Sequence, residues 1–76
     1  MVHSMFSMPL GSRGRVISIE VEGTARRRLL DIGLVPGTVI ESVRRSPAGD
    51  PTAFCIRGAT IALRAEDAAK VLVRAF

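Results

Sequence analysis

The chain has 76 residues, 47% of them apolar and 24% charged, which allows one small domain and excludes two. Eleven basic residues, ten of them arginine, stand against seven acidic ones, and the net charge of +4 points to an acidic partner or to an ordinary solvated face. One cysteine, Cys55, and one histidine, His3, exclude an intramolecular disulfide and a four-ligand zinc cage, so the domain must fold on packing alone.

Residues 1–8 contain Met1, Met5 and Met8, any of which could be the start, and show no hydrophobic period. They read as a flexible leader, with the domain over residues 9–76. They also lack the basic start, long apolar stretch and cleavage signature of a targeting segment. No apolar run reaches the roughly 18 residues needed to span a bilayer, so a soluble cytoplasmic protein is expected.

From Arg15 to Val21 the sequence alternates, with Ile17, Ile19 and Val21 on one face and Val16, Ser18 and Glu20 on the other, the pattern of a half-buried strand. Thr24 offers an N-cap hydroxyl to a short helix in which Ala25, Leu29 and Ile32 fall at helical spacing. Gly33 then supplies a left-handed stop, with Leu34 placed to fold back on Leu29 in a Schellman ending. Val35-Pro36-Gly37-Thr38 predicts a type II turn. The charges of this helix oppose its dipole, because Arg26, Arg27 and Arg28 sit in the first turn and Asp31 in the last. Those arginines therefore meet something outside the helix, either acids of the same domain such as Glu20 and Glu22 or a partner surface.

Thr38–Arg45 predicts a second strand whose apolar residues Val39, Ile40 and Val43 do not keep to one face, as in a curved or bulged strand. Arg45 to Pro51 is turn-rich, with Gly49 and Pro51, and forms an exposed loop. Thr52–Arg57 alternates with Thr52, Phe54 and Ile56 on one face, and Gly58 marks a tight hairpin into Thr60–Arg64, where Ile61 and Leu63 point inward. A helical turn over Ala65–Ala69 precedes a closing strand at Val71. The elements describe a mainly β fold: a small, partly open barrel of about five strands, with one short helix after the first and a helical turn before the last.

Catalytic chemistry is not visible. His3 and Cys55 sit in no nucleophile or acid–base motif, and Cys55 reads as a small apolar filler. Asp50 and His3 have no partner at metal-ligand spacing, so neither a metal site nor a cofactor is expected. Gly11-Ser12-Arg13-Gly14 is too short for a phosphate loop and lacks its lysine. With no Trp or Tyr, and with Phe6 in the leader, Phe54 in the core and Phe76 the last residue, the base-stacking platforms of a nucleic-acid barrel are also missing.

Arg28-Leu-Leu-Asp-Ile-Gly-Leu-Val-Pro-Gly-Thr38, followed by Val43-Arg-Arg-Ser-Pro-Ala-Gly-Asp-Pro51 and Ile61-Ala-Leu-Arg64, resembles the FeoA family of bacterial ferrous iron transport proteins over about residues 8–76. The resemblance implies an SH3-like β-barrel, a module shared with the C-terminal part of DtxR-type repressors, whose DNA-binding helices this chain lacks. It implies a non-enzymatic cytoplasmic accessory of FeoB, the membrane transporter with a GTP-binding domain that carries Fe(II) inward, peripheral at the inner membrane through that partner. Gly33, Pro36, Gly37, Gly49, Pro51 and Gly58 match family positions that shape turns. Arg28, Asp31, Arg44, Arg45, Asp50 and Arg64 match charged positions suited to a partner surface, to which the helix start adds Arg26 and Arg27. Ser42 and Thr52 stand where related sequences carry more apolar residues. The alternative is a small basic barrel that binds RNA or a ribonucleoprotein, with affinity falling steeply in salt.

Overall fold

The computed structural model describes residues 2–76. Six strands form one antiparallel sheet: β1 (Val2–Ser4), β2 (Arg13–Ile19), β3 (Val39–Arg45), β4 (Thr52–Ile56), β5 (Ala59–Leu63) and β6 (Val71–Ala75). Their order across the sheet is β1-β6-β2-β3-β4-β5, so the first and last strands in sequence are neighbours. Helix α1 (Gly23–Asp31) is inserted between β2 and β3, and the short helix α2 (Ala65–Ala68) between β5 and β6. A mainly β architecture with this helix placement matches the sequence expectation.

Residues 2–8 overturn the leader assignment. Val2–Ser4 pair with β6 in the register Val2↔Arg74 and Ser4↔Leu72, and Met5–Ser7 form a 3-10 turn capped by the Ser4 hydroxyl, which accepts from the Ser7 amide at 3.2 Å. Met5 and Met8 are buried in the same core cluster as Val71 and Val73 of β6 and Ala68 of α2. A three-residue strand and a single 3-10 turn are too short to show a period, so their apolar residues carry no readable pattern.

A second difference lies in β2. Its register with β6 steps from Val16↔Val73 to Ser18↔Leu72, so Ile17 is an extra residue at a bulge. Val16 and Ile19 consequently point inward and Ile17 faces solvent, where unbroken alternation had placed Ile17 inside. Of the two readings open for β3, a curved or a bulged strand, the register shows a bulge: Ser42 pairs with Phe54 and Arg44 with Ala53, which leaves Val43 outside. β4 keeps the simple alternation, burying Thr52, Phe54 and Ile56.

The end of α1 forms as the sequence suggests. The Leu34 amide donates to the Leu29 carbonyl and the Gly33 amide to the Leu30 carbonyl, both at 3.0 Å, while Gly33 takes φ +95°. Leu29 and Leu34 are both buried, the apolar contact of a Schellman ending. A type II turn follows, closed by the Thr38 amide on the Val35 carbonyl at 3.0 Å. At the other end, Glu22 is the N-cap without a side-chain bond, so the Thr24 hydroxyl does not cap the helix.

Two hydroxyls in the core differ in how they are satisfied. Thr52 Oγ1 accepts from Arg45 Nε at 3.4 Å, whereas Ser42 Oγ is buried with no partner. An unpaired buried hydroxyl costs about 1–3 kcal/mol. Ser42→Ala is therefore expected to raise stability by about 1 kcal/mol, read as a higher urea midpoint at unchanged m-value. A lower midpoint would show that the hydroxyl is satisfied in solution.

Candidate interaction surface

The eight charged residues singled out in the sequence divide into two groups. Three are engaged inside the domain. Arg26 reaches back from α1 to donate through Nη1 to the carbonyl of Ile19, which ties the helix start to the end of β2. This contact explains Arg26, set against the dipole in the first turn, with a backbone carbonyl and not Glu20 or Glu22 as acceptor. Arg28 lies instead in the last turn of α1, where the dipole favours a cation, and not in the first turn as its spacing suggested. Arg45 donates through Nη2 to the Phe6 carbonyl at 3.2 Å and lies over the Phe6 ring at 5.4 Å, stapling the N-terminal segment to β3. Asp50 Oδ1 accepts the Ala65 amide at 2.8 Å, so the loop after β3 caps the start of α2.

The other five, Arg27, Arg28, Asp31, Arg44 and Arg64, are exposed. Two of them, Arg28 and Arg64, are brought together by the fold. Residue 28 lies on α1 and residue 64 at the N-cap of α2, and both line a groove of about 190 Å³ between α1 and β5. Its floor is apolar, made by Ala25 and Leu29 of the helix and its C-cap Ile32 against Ile61 and Leu63 of the strand. Asp67 adds one carboxylate to the rim. Arg44 lies away from the groove on β3, and Asp31 closes the last turn of α1 without lining it.

The groove exists because β5 is the last strand of the sheet and pairs only with β4. Its free side and the apolar face of α1 stand opposite each other. Helical spacing predicts that face, and strand alternation predicts Ile61 and Leu63 inward; the long-range packing that joins them leaves no mark on local sequence. Asp67 and Arg57 were not signalled either. Arg57 sits in a two-residue hairpin turn at φ +51° beside Gly58 at φ +82°, a type I′ geometry, and its Nε donates to the Gly33 carbonyl at 3.2 Å.

Among the described residues no three His, Cys, Asp or Glu side chains gather as a metal site. No helix among them is long and apolar enough to cross a membrane. The arrangement is a small barrel-like sheet with an apolar groove under a cationic rim, the form of an SH3-like domain.

The FeoA domain family model matches residues 4–75, and the chain belongs to that family. It is 36% identical over 63 residues to the "Fe(2+) transport protein A/Fe(2+) transporter FeoB fusion protein" of Porphyromonas gingivalis, a match covering 83% of this chain and 8% of the relative, so the chain corresponds to a small part of that relative's length. The solution structure of the FeoA protein from Chlorobium tepidum superposes with a TM-score of 0.91 at 32% identity, covering 96% of this chain and 70% of the other. The Stenotrophomonas maltophilia FeoA structure, described as a zinc complex of an SH3 domain protein, gives a TM-score of 0.83 at 27% identity over 93% of this chain and 88% of its own. The family is thus linked to ferrous iron transport, and the SH3-like class expected from the sequence holds.

Proposed function

We propose that this domain is a cytoplasmic accessory of ferrous iron uptake that works by binding a FeoB-type transporter, not by catalysis. The observation that carries the reading is the Porphyromonas gingivalis relative, in which a segment like this one is covalently joined to the transporter. Fusion makes sense where two domains act in contact, since a linker turns their meeting into an intramolecular event. The groove between α1 and β5 supplies an apolar slot, and Arg28 and Arg64 at its rim suit carboxylates on the cytoplasmic GTP-binding region of the transporter. Arg27, one position earlier on α1, is exposed but points about 100° round the helix from Arg28 and does not line the groove. The domain is then peripheral to the inner membrane through its partner.

Titration of the domain against the soluble GTP-binding region and against the intact transporter, with each nucleotide, tests this. Binding is expected to at least one of them. The double reversal Arg28→Glu, Arg64→Glu is expected to weaken it at least tenfold while leaving the thermal transition in place. Absence of binding to either at low salt would overturn the reading. Tighter, steeply salt-dependent binding to RNA in the same assay would replace it with the nucleic-acid alternative.

A further inference from the structure

A second basic surface lies on β2 and β6 and shares no residue with the groove. Arg15 of β2 stands directly opposite Arg74 of β6, and both are exposed. Like charges directly opposed across a strand pair repel. Arg15 is held in place by donating through Nη1 to the Gly37 carbonyl at 3.0 Å. Phe76 follows β6, its amide bonded to the Arg13 carbonyl at 3.2 Å, and its side chain remains 69% exposed. The guanidinium carbons of Arg13 and Arg15 lie 5.7 and 5.8 Å from the centre of its ring.

Between these side chains is a pocket of about 110 Å³ lined by Arg15, Val16, Ile17, Arg74, Ala75 and Phe76. That volume has room for several waters or for one aliphatic side chain. Ile17 reaches this pocket because the β2 bulge turns it outward. No acidic residue lines it. Glu41, the acidic side chain in register on β3, stands opposite Arg13 on the far side of β2 from Arg74.

We infer that this patch binds an acidic, extended protein segment, an aliphatic side chain entering the pocket while carboxylates on either side pair with Arg15 and Arg74. Charge complementarity selects the occupant: two planar guanidinium forks flank an apolar hole, and bidentate pairing with carboxylates is what such forks favour. A single-stranded nucleic acid is disfavoured, because it needs successive open aromatic faces and the one ring here is already attended by two guanidinium groups.

The probe is a capped five-residue peptide with two acidic residues on each side of a central leucine, titrated into the isotope-labelled full chain at about 150 mM salt, the physiological screening regime. Amide shifts are expected at Ile17, Arg74 and Phe76 and not around Leu29 or Ile61. Replacing the leucine with glycine, or Arg74 with glutamate, is expected to weaken binding at least tenfold. Arg74→Glu should keep the wild-type far-ultraviolet circular dichroism, and Ile17→Asp, at an exposed position, provides a second variant if it does not. Any of three results overturns the inference: no shifts at millimolar peptide, equal affinity without the leucine, or stronger binding at the same residues by an oligonucleotide or by vesicles of anionic lipid. The groove assay with Arg28→Glu, Arg64→Glu is read separately, so failure of one surface leaves the other standing.

Discussion

A chain that begins at Pro9 is expected to lose its cooperative folding transition. Met5 and Met8, at 0% and 3% exposure, are core residues, and removing a buried methionine side chain costs about 2–5 kcal/mol. Two such losses total about 4–10 kcal/mol, against a stability of about 4–11 kcal/mol for a chain of this size. The truncation also strips β1 from β6 and removes the Phe6 ring and carbonyl that hold Arg45. Thermal denaturation followed by circular dichroism checks the outcome. Met5→Ala serves as the graded control, folded but lower in midpoint by at least about 8 °C, at about 4–8 °C per kcal/mol for a domain this small. If the truncated chain melts like the intact one, residues 2–8 are a leader after all.

Gly33→Ala is expected to be the most damaging single turn substitution, for two separable reasons. At φ +95° any residue with a Cβ is strained, by about 1–2 kcal/mol. In addition, a Cβ there would lie 2.6 Å from Arg57 Cδ and 2.8 Å from its Nε. The Arg57 side chain must swing aside, which breaks its bond to the Gly33 carbonyl. A total of about 2–3 kcal/mol is expected, with a fall in the urea midpoint. The same substitution in an Arg57→Ala background should cost less, because only the backbone strain remains. Equal costs in both backgrounds would show that Arg57 does not pack on Gly33 in solution.

These two experiments fall on either side of what local sequence can say. The Schellman ending, the type II turn and the alternation of β4 were legible because each is fixed by residues within a few positions of one another. The bulge in β3 was visible as a failed alternation, since Val39, Ile40 and Val43 cannot share a face. The bulge in β2 was hidden, because Ile17, Ile19 and Val21 alternate well enough to mask it. Contacts that join distant residues were not legible: Arg45 with Phe6, Asp50 with Ala65, Arg57 with Gly33. For the same reason the eight charged candidates looked equivalent in sequence. The fold spends three of them on its own backbone groups and stacking, and gathers only Arg28 and Arg64 around a groove.

The pairing of β1 with β6 sets how this domain can be tethered. Val2 lies opposite Arg74, so the two ends of the described chain sit side by side at one edge of the sheet. A polypeptide joined at either end would depart from nearly the same place. The groove of α1 and β5 belongs to the opposite end of the strand order. A linker at the paired ends would therefore leave from the β1–β6 edge, and none of the residues that line the groove belongs to either of those strands.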